Sequence, residues 1–274
     1  MIFEKKFLLI AHYHQNGLIR KDLFNLIKIS KNYFDQIILI STKLRRSEKK
    51  KLPKFIKIII RPNFGYDFYS YKVGMNYLYK KYKKNLQEKT IVCMASSLLY
   101  IRPKKLLERI KKCKVKENYF YSLTKSWEIQ EHLQLDIFLF SMNLFKNIFF
   151  LNWWKNIKRF KSRQIIINKY ELGLTLFLKK LTIDRETLFK DNIKNYPSTI
   201  KKIIIKKIKN LFYKENKIYK KNPTHFYWER IYDNFGILKI DLIKTNPHNV
   251  NIKKLKNYFT KKELENINQE ARNN

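Results

Sequence analysis

Short apolar runs alternate with amphipathic stretches along the chain as far as Glu117. Phe7–Tyr13 (FLLIAHY), Gln36–Thr42 (QIILIST), Phe55–Ile60 (FIKIII) and Thr90–Ala95 (TIVCMA) are near-continuous apolar runs bounded by polar residues, the pattern of strands buried on both faces. Between and after them, Leu23–Ile29, Phe68–Tyr82 and Lys104–Lys112 carry apolar residues at helical spacing. This β-α-β-β-α-β-α order predicts an α/β fold, a mostly parallel open sheet covered by helices. Ligands of such sheets bind beyond the carboxyl ends of the strands.

Beyond Glu117 the rhythm changes. Tyr119–Thr124 and Leu133–Phe140 (LQLDIFLF) read as further strands, and Asn147–Ile157 and Gln164–Leu181 as helices. Thr199–Tyr213 sets apolar residues at 200, 203, 204, 208, 211 and 212 against Lys at 201, 202, 206, 207 and 209, which predicts a basic amphipathic helix capped by Ser198 or Thr199. Asn-Pro turns fall at Pro223 and Pro247, Asp184-Arg185-Glu186 reads as an exposed turn, and NINQEARNN at the end as a frayed tail. The organisation expected is a sheet domain over residues 1–198 and a basic helical C-terminal extension over 199–274.

Composition narrows the picture. The 60 Lys and Arg against 22 Asp and Glu make a net charge of +38, yet a hydrophobic content of 45% spread along the chain excludes a disordered basic tail. The excess is Lys rather than Arg, diffuse, and attached to no zinc-finger, ribonucleoprotein or P-loop signature, so no nucleic acid is expected as a partner. Lys on exposed helix faces explains most of it; the 199–213 helix and the aromatic stretch Phe149–Trp154 would serve peripheral contact with an anionic membrane. Cys93 and Cys113 form neither a disulfide framework nor a zinc motif. The N-terminal run FLLIA is flanked by Glu4 and His12, unlike a secretion signal, and Ile137–Trp154 is broken by Ser, Asn and Lys, so the expected location is cytoplasmic, on the inner face of the membrane.

One stretch concentrates unusual chemistry. Arg61-Pro62-Asn63-Phe64-Gly65-Tyr66-Asp67 follows a strand and opens a helix; Gly65 allows a left-handed turn, and Asp67 either caps the helix or faces a ligand. Asp136, alone in an apolar strand, must face a polar cavity or bear a desolvation cost. His12 and His14 share a strand face and read as structural histidines or as site residues. No Gly-x-Gly-x-x-Gly occurs.

In order along the chain, AHYHQNGLI, RPNFGYDFYSYKVG, SSLLYIRP, FYSLT, HLQLDIFLFS, IIINKYELGLTLFL and NPTHFYWERI with GILKIDLIKTNP resemble the rhamnan-synthesis protein F family, over roughly Phe7 to Asn249. The resemblance implies a GT-A-like glycosyltransferase of bacterial surface-polysaccharide assembly, whether capsule, O-antigen or rhamnan-type glycan. Its partners would be a nucleotide-diphosphate sugar, of rhamnose or another hexose or deoxyhexose, and a growing lipid-linked glycan. It places Asn63, Gly65, Tyr66, Asp67, Lys72, Ser96 and Ser97 at the donor, with Lys72, Arg61 and Arg102 as compensating cations. Where the family commonly has Asn-Asp-Ser, this chain reads Ala95-Ser96-Ser97, so the acid that would ligate Mg or Mn has no counterpart there. Glu171, in an apolar helical stretch and beside Tyr170, looks like the catalytic acid region of inverting nucleotide-sugar transferases and is the first choice of general base, with Asp136 the second. His225 and Trp228, three apart on one helix face, would close over the acceptor, or Trp228 would anchor the C-terminal helices. The rival reading is a degenerate, non-catalytic transferase fold that binds glycan or a partner enzyme.

Overall fold

A computed structural model describes residues 5–190 and 222–272. Strands β1 (Lys5–His12), β2 (Gln36–Ser41), β3 (Ile56–Ile60) and β4 (Lys89–Ala95) pair in parallel, linked by helices α1 (Lys21–Ser30), α2 (Arg46–Lys51) and α3 (Tyr66–Tyr82). Strand β7 (His132–Ser141) runs antiparallel between β4 and β6 (Tyr119–Ser126), and β8 (Asp184–Thr187) adds in parallel to β6. The seven-stranded order is β3-β2-β1-β4-β7-β6-β8, the mostly parallel, helix-flanked sheet that the apolar runs predict.

Strand alternation divides the core in two. Phe7, Leu9 and Ala11 of β1 face one layer with Ile38, Ile40, Ile91 and Cys93, under Tyr71, Met75 and Leu78 of α3. Leu8 and Ile10 face the other with Ile37, Leu39, Val92 and Met94, against α1 and α4 (Pro103–Lys112). The first layer continues beneath α5 (Ile148–Lys155), where Phe138, Phe140 and Trp154 stack face to face. That stacking identifies the 149–154 aromatics chiefly as core, although Phe149 remains exposed. No disulfide joins Cys93 and Cys113.

The region after β4 decides where a site can lie. Residues 98–100 (β5) pair antiparallel with β9 (Ile237–Lys239), and the Ile240 amide donates to the Ser97 carbonyl at 3.1 Å, so the C-terminal part of the chain is stitched to the end of β4. Three helices flank β9: α9 (Trp228–Phe235), α10 (Ile240–Lys244) and α11 (Lys261–Arg272). Together they bury a third apolar cluster including Trp228, Tyr232, Leu242 and Phe259.

Several expectations need correction. Asp184–Thr187 is an edge strand, because Tyr119–Ser122 of β6 leave one side free to pair with it. The C-terminal residues form α11 up to Arg272, held by buried Ile267 and Ala271, so they are not a frayed tail. The short helix α2 interrupts what reads as two successive strands. The 199–213 basic helix and the 198/199 boundary lie outside the described residues. No described helix is long and apolar enough to cross a membrane.

Candidate functional site

The loop into α3 is built around a buried cation. Arg61 donates from Nε to Ser70 Oγ (2.8 Å), from Nη1 to the carbonyls of Pro62 (2.7 Å) and Phe64 (2.6 Å), and from Nη2 to that of Tyr66 (2.5 Å). With every arm engaged, this guanidinium shapes the loop and is not offered to a ligand. Gly65, at φ +70°, is the residue before the helix; a Cβ there would lie 2.7 Å from Tyr69 Cβ. The turn makes Asp67 the second helical residue rather than the cap, and aims its carboxyl into a cavity of about 520 Å³ beyond the carboxyl end of β4.

Strand β7 forms the floor of this cavity with His132, Gln134 and Asp136, spaced by two and therefore on one face. Asp136 Oδ1 accepts from Ser97 Oγ at 3.1 Å and forms a close ion pair with Lys239 Nζ, whose side chain and that of Asp136 are 11% and 13% exposed. A wall comes from α6 (Arg163–Ile166) and a π-helical turn over Ile167–Leu172, which leads into α7 (Gly173–Lys180). The π turn carries Glu171; turns of this kind recur at functional sites because the extra residue breaks the helical phase. Its carboxylate accepts from the Leu135 amide at 3.4 Å. On the far side, His225 of α8 (Pro223–Phe226) lies with its ring 4.9 Å from that of His248. His225 is 3% exposed, and neither ring nitrogen has a partner among the described residues.

The charge of the cavity opposes that of the chain. Asp67, Glu128, Asp136, Glu171 and Asp241 line it, against Lys239 and Arg163, in a protein with 60 cations and 22 acids. Asp136 is paired with Lys239, Asp241 with Arg163 at 3.3 Å, and Glu128 lies 3.6 Å from His248. Among the described residues, Asp67 and Glu171 have no such cation. Burial, reinforced by the charge of Asp136, pushes Glu171 up to about 7 and Asp67 to about 6. Burial depresses the Lys239 ammonium, but Asp136 outweighs it and holds the group above its ordinary value. Burial, then Lys239 and His248, lower His225 to about 4, so it is neutral near pH 7.

Tyr66, Asp67, Ser97, Asp136, Glu171 and His225 thus meet in one cavity, as the sequence reading requires of a site. Others do not face it. Lys72 donates to the Ile157 carbonyl at 2.8 Å and rests over the Tyr69 ring; Arg102 lies over Tyr232. Ser96 is buried, its Oγ accepting from the Tyr13 amide at 3.1 Å. Gly65 acts through backbone shape, and Asn63 is exposed outside the lining. The helix ends at Tyr227 and restarts, so Trp228 does not share a face with His225; it is buried against Tyr258 as an anchor. His12 bonds Ser41 Oγ (2.8 Å) and the Leu18 carbonyl (3.1 Å) and is structural; neither it nor buried His14 lines the cavity.

The residues missed by sequence reading are Lys239, Arg163, His132 and His248. One Lys among so many carries no local mark; only its place in ILKID, between apolar neighbours in a strand, sets Lys239 apart. Among the described residues no group of three or more His, Cys, Asp or Glu side chains comes together as a metal site, and Asp136 already holds an ammonium.

Comparison with known proteins adds the family. Residues 37–274 match the family described as Rhamnan synthesis protein F. A relative from Sinorhizobium fredii (strain NBRC 101917 / NGR234), "Uncharacterized protein y4gN", is 23% identical over 168 residues, covering 60% of this chain and 43% of that protein, so the chain spans less than half of the relative's length. Among solved structures, a 4-diphosphocytidyl-2C-methyl-D-erythritol synthase aligns over 74% of this chain and 98% of its own at TM-score 0.44 and 10% identity. The bifunctional IspDF from Campylobacter jejuni aligns over 60% of this chain and 46% of its own at TM-score 0.31 and 14% identity.

Proposed function

The chain belongs to the rhamnan synthesis protein F family, and from that membership we propose that it is a GT-A-like glycosyltransferase of surface-polysaccharide assembly. It moves a hexose or deoxyhexose from a nucleoside-diphosphate donor to a lipid-linked glycan at the inner face of the membrane. The observation that carries the proposal is Glu171: a partly buried carboxyl in a π turn, without an ion-pair partner among the described residues, with its pKa raised to about 7. A base poised near the working pH combines a usable deprotonated fraction with a strong affinity for the incoming proton.

In the transfer, the acceptor hydroxyl oxygen attacks the anomeric carbon while its proton passes to Glu171. The bond from the anomeric carbon to the donor's phosphate oxygen breaks, and its electron pair leaves on the nucleoside diphosphate. Asp136, with Oδ1 engaged by Lys239 and Ser97, orients hydroxyls rather than taking the proton. Asp67, beside the left-handed turn of Gly65, holds the donor sugar through its hydroxyls, and the unpartnered ring of His225 supplies one donor and one acceptor to a ligand.

The test is a panel of UDP, GDP and dTDP hexoses and deoxyhexoses, each measured for thermal stabilisation of the protein and for slow hydrolysis. At least one donor should stabilise the wild type and Glu171→Gln equally, with turnover lost only in the variant. Stabilisation by no donor sinks the transferase reading. Stabilisation with no turnover in the presence of glycan acceptors favours the non-catalytic alternative.

A further inference from the structure

A second cavity, of about 580 Å³, adjoins the first along the same edge of the sheet. His132 and Leu133 at the start of β7 line it, and His132 and Leu135 continue the strand into the acid-rich cavity, so the start of β7 is a partition between the two. The partition is pinned: the Leu133 amide donates to Thr175 Oγ1 of α7 at 3.0 Å, and His132 Nδ1 donates to the Gln130 carbonyl at 2.8 Å. With its proton on Nδ1, His132 presents Nε2 as an acceptor.

The two cavities differ in charge. Lys125, Lys179, Arg185 and Lys190 line the second one against Glu131 and Glu186, and Glu131 already pairs with Lys125 at 3.3 Å. Leu176, 48% exposed, lies on its wall. An acid-rich cavity suits neutral hydroxyls and proton removal, whereas the cations next door attract a phosphate group. A ligand with a hydroxyl-bearing ring joined directly to a phosphate matches both halves, and a prenyl chain on that phosphate would meet Leu176.

We propose that this basic cavity is the acceptor's anion subsite, holding the diphosphate of a lipid-linked acceptor that carries a single sugar while that sugar crosses the His132 partition to Glu171. The assignment to the acceptor rests on the transferase reading. The presence of an anion site at this place does not. Asp67 and the α3 loop lie on the opposite side of the first cavity's floor from β8, which leaves the donor's nucleoside near β4 and the second cavity to the other substrate.

The probes are inorganic pyrophosphate, farnesyl diphosphate, and UDP, GDP and dTDP, titrated at about 0.15 M salt, where diffuse surface attraction is screened over roughly 8 Å. Three proteins are compared: wild type, K179E/R185E, and a control, K104E/K112E, that reverses two charges in another basic hollow of the surface. These side chains are on the surface, and a thermal melt checks that each variant folds. Farnesyl diphosphate and pyrophosphate should bind the wild type and the control alike and lose tenfold or more in K179E/R185E, with the nucleoside diphosphates unchanged. Equal loss in both variants means only a diffuse positive field and overturns the subsite, as does no loss in either. Loss confined to the nucleoside diphosphates overturns the acceptor assignment by placing the donor there. If pyrophosphate binding follows the expected pattern but no nucleotide or sugar nucleotide binds anywhere, the anion site stands and the transferase reading falls.

Discussion

Replacing Glu171 by Gln should make the protein more stable and less active. In the folded state the carboxyl ionises at about 7, against an ordinary value of 4.5, because burial and the neighbouring Asp136 charge oppose it while Lys239 and Arg163 offset only part. A carboxyl whose folded pKa is raised favours the protonated form in the native state. Stability is therefore full below pH 4.5, falls as pH rises, and has lost the whole contribution above pH 7. At 1.36 kcal/mol per unit of pKa, the loss is about 3 kcal/mol. Gln keeps the shape and accepts from the Leu135 amide through its carbonyl oxygen, but cannot ionise. In urea unfolding, the stability difference between variant and wild type should be near zero at pH 4.5 and grow to about 3 kcal/mol in favour of the variant by pH 8, while glycosyl transfer is lost. A variant less stable than wild type at pH 8, or a difference that does not change with pH, would refute the description of Glu171 as a buried carboxyl without adequate compensation.

Three further outcomes follow from the geometry. Lys239→Met strands the Asp136 carboxylate and should destabilise by about 3 kcal/mol, most of it recovered in Lys239→Met/Asp136→Asn; a double-mutant cycle with coupling below about 0.5 kcal/mol would show that the pair is idle. Gly236→Ala should cost more than about 2 kcal/mol in urea unfolding, since at φ +68° the new Cβ would come within 2.5 Å of the Arg102 Cβ and carbonyl oxygen. His225→Phe removes two unpartnered buried nitrogens and a histidine that resists protonation until about pH 4. Relative to the variant, the wild type should lose about 3 kcal/mol of stability between pH 6.5 and pH 4 as the unfolded histidine takes up its proton, whatever trend Glu171 gives to both proteins, and the variant should bind substrate more weakly, read as a raised KM.

Strands β1, β2 and β4 were legible because each is a near-continuous apolar run, and two-sided burial leaves little room for polar residues there. Asp136 announced itself for the same reason: one charge inside LQLDIFLF needs a polar cavity, and the structure supplies one with Ser97 and Lys239. Edge elements were hidden. Asp184–Thr187 contains no aliphatic residue, and its strand conformation comes from pairing with β6 rather than from its own preference. The one helix face expected to carry His225 and Trp228 is divided between two helices, since the backbone at Tyr227 leaves helical geometry and turns Trp228 toward the C-terminal core. Arg61 shows the limit for charged residues: sequence marks a cation beside a glycine turn, but only coordinates reveal that the carbonyls of its own loop consume it.

The pairing of β5 with β9 also constrains the order in which the protein can become competent. Leu98 and Lys239 are partners across more than half of the chain, so Asp136 acquires its ammonium only after a long loop has closed, a step that slows folding in proportion to its entropy. A nascent chain that ends between Ser141 and Lys239 contains β1–β4 and β7 and can hold them in register, yet its Asp136 lacks the Lys239 ammonium. Synthesis from the N-terminus thus forms the sheet first and the working electrostatics last, which keeps an incomplete chain from offering a finished site.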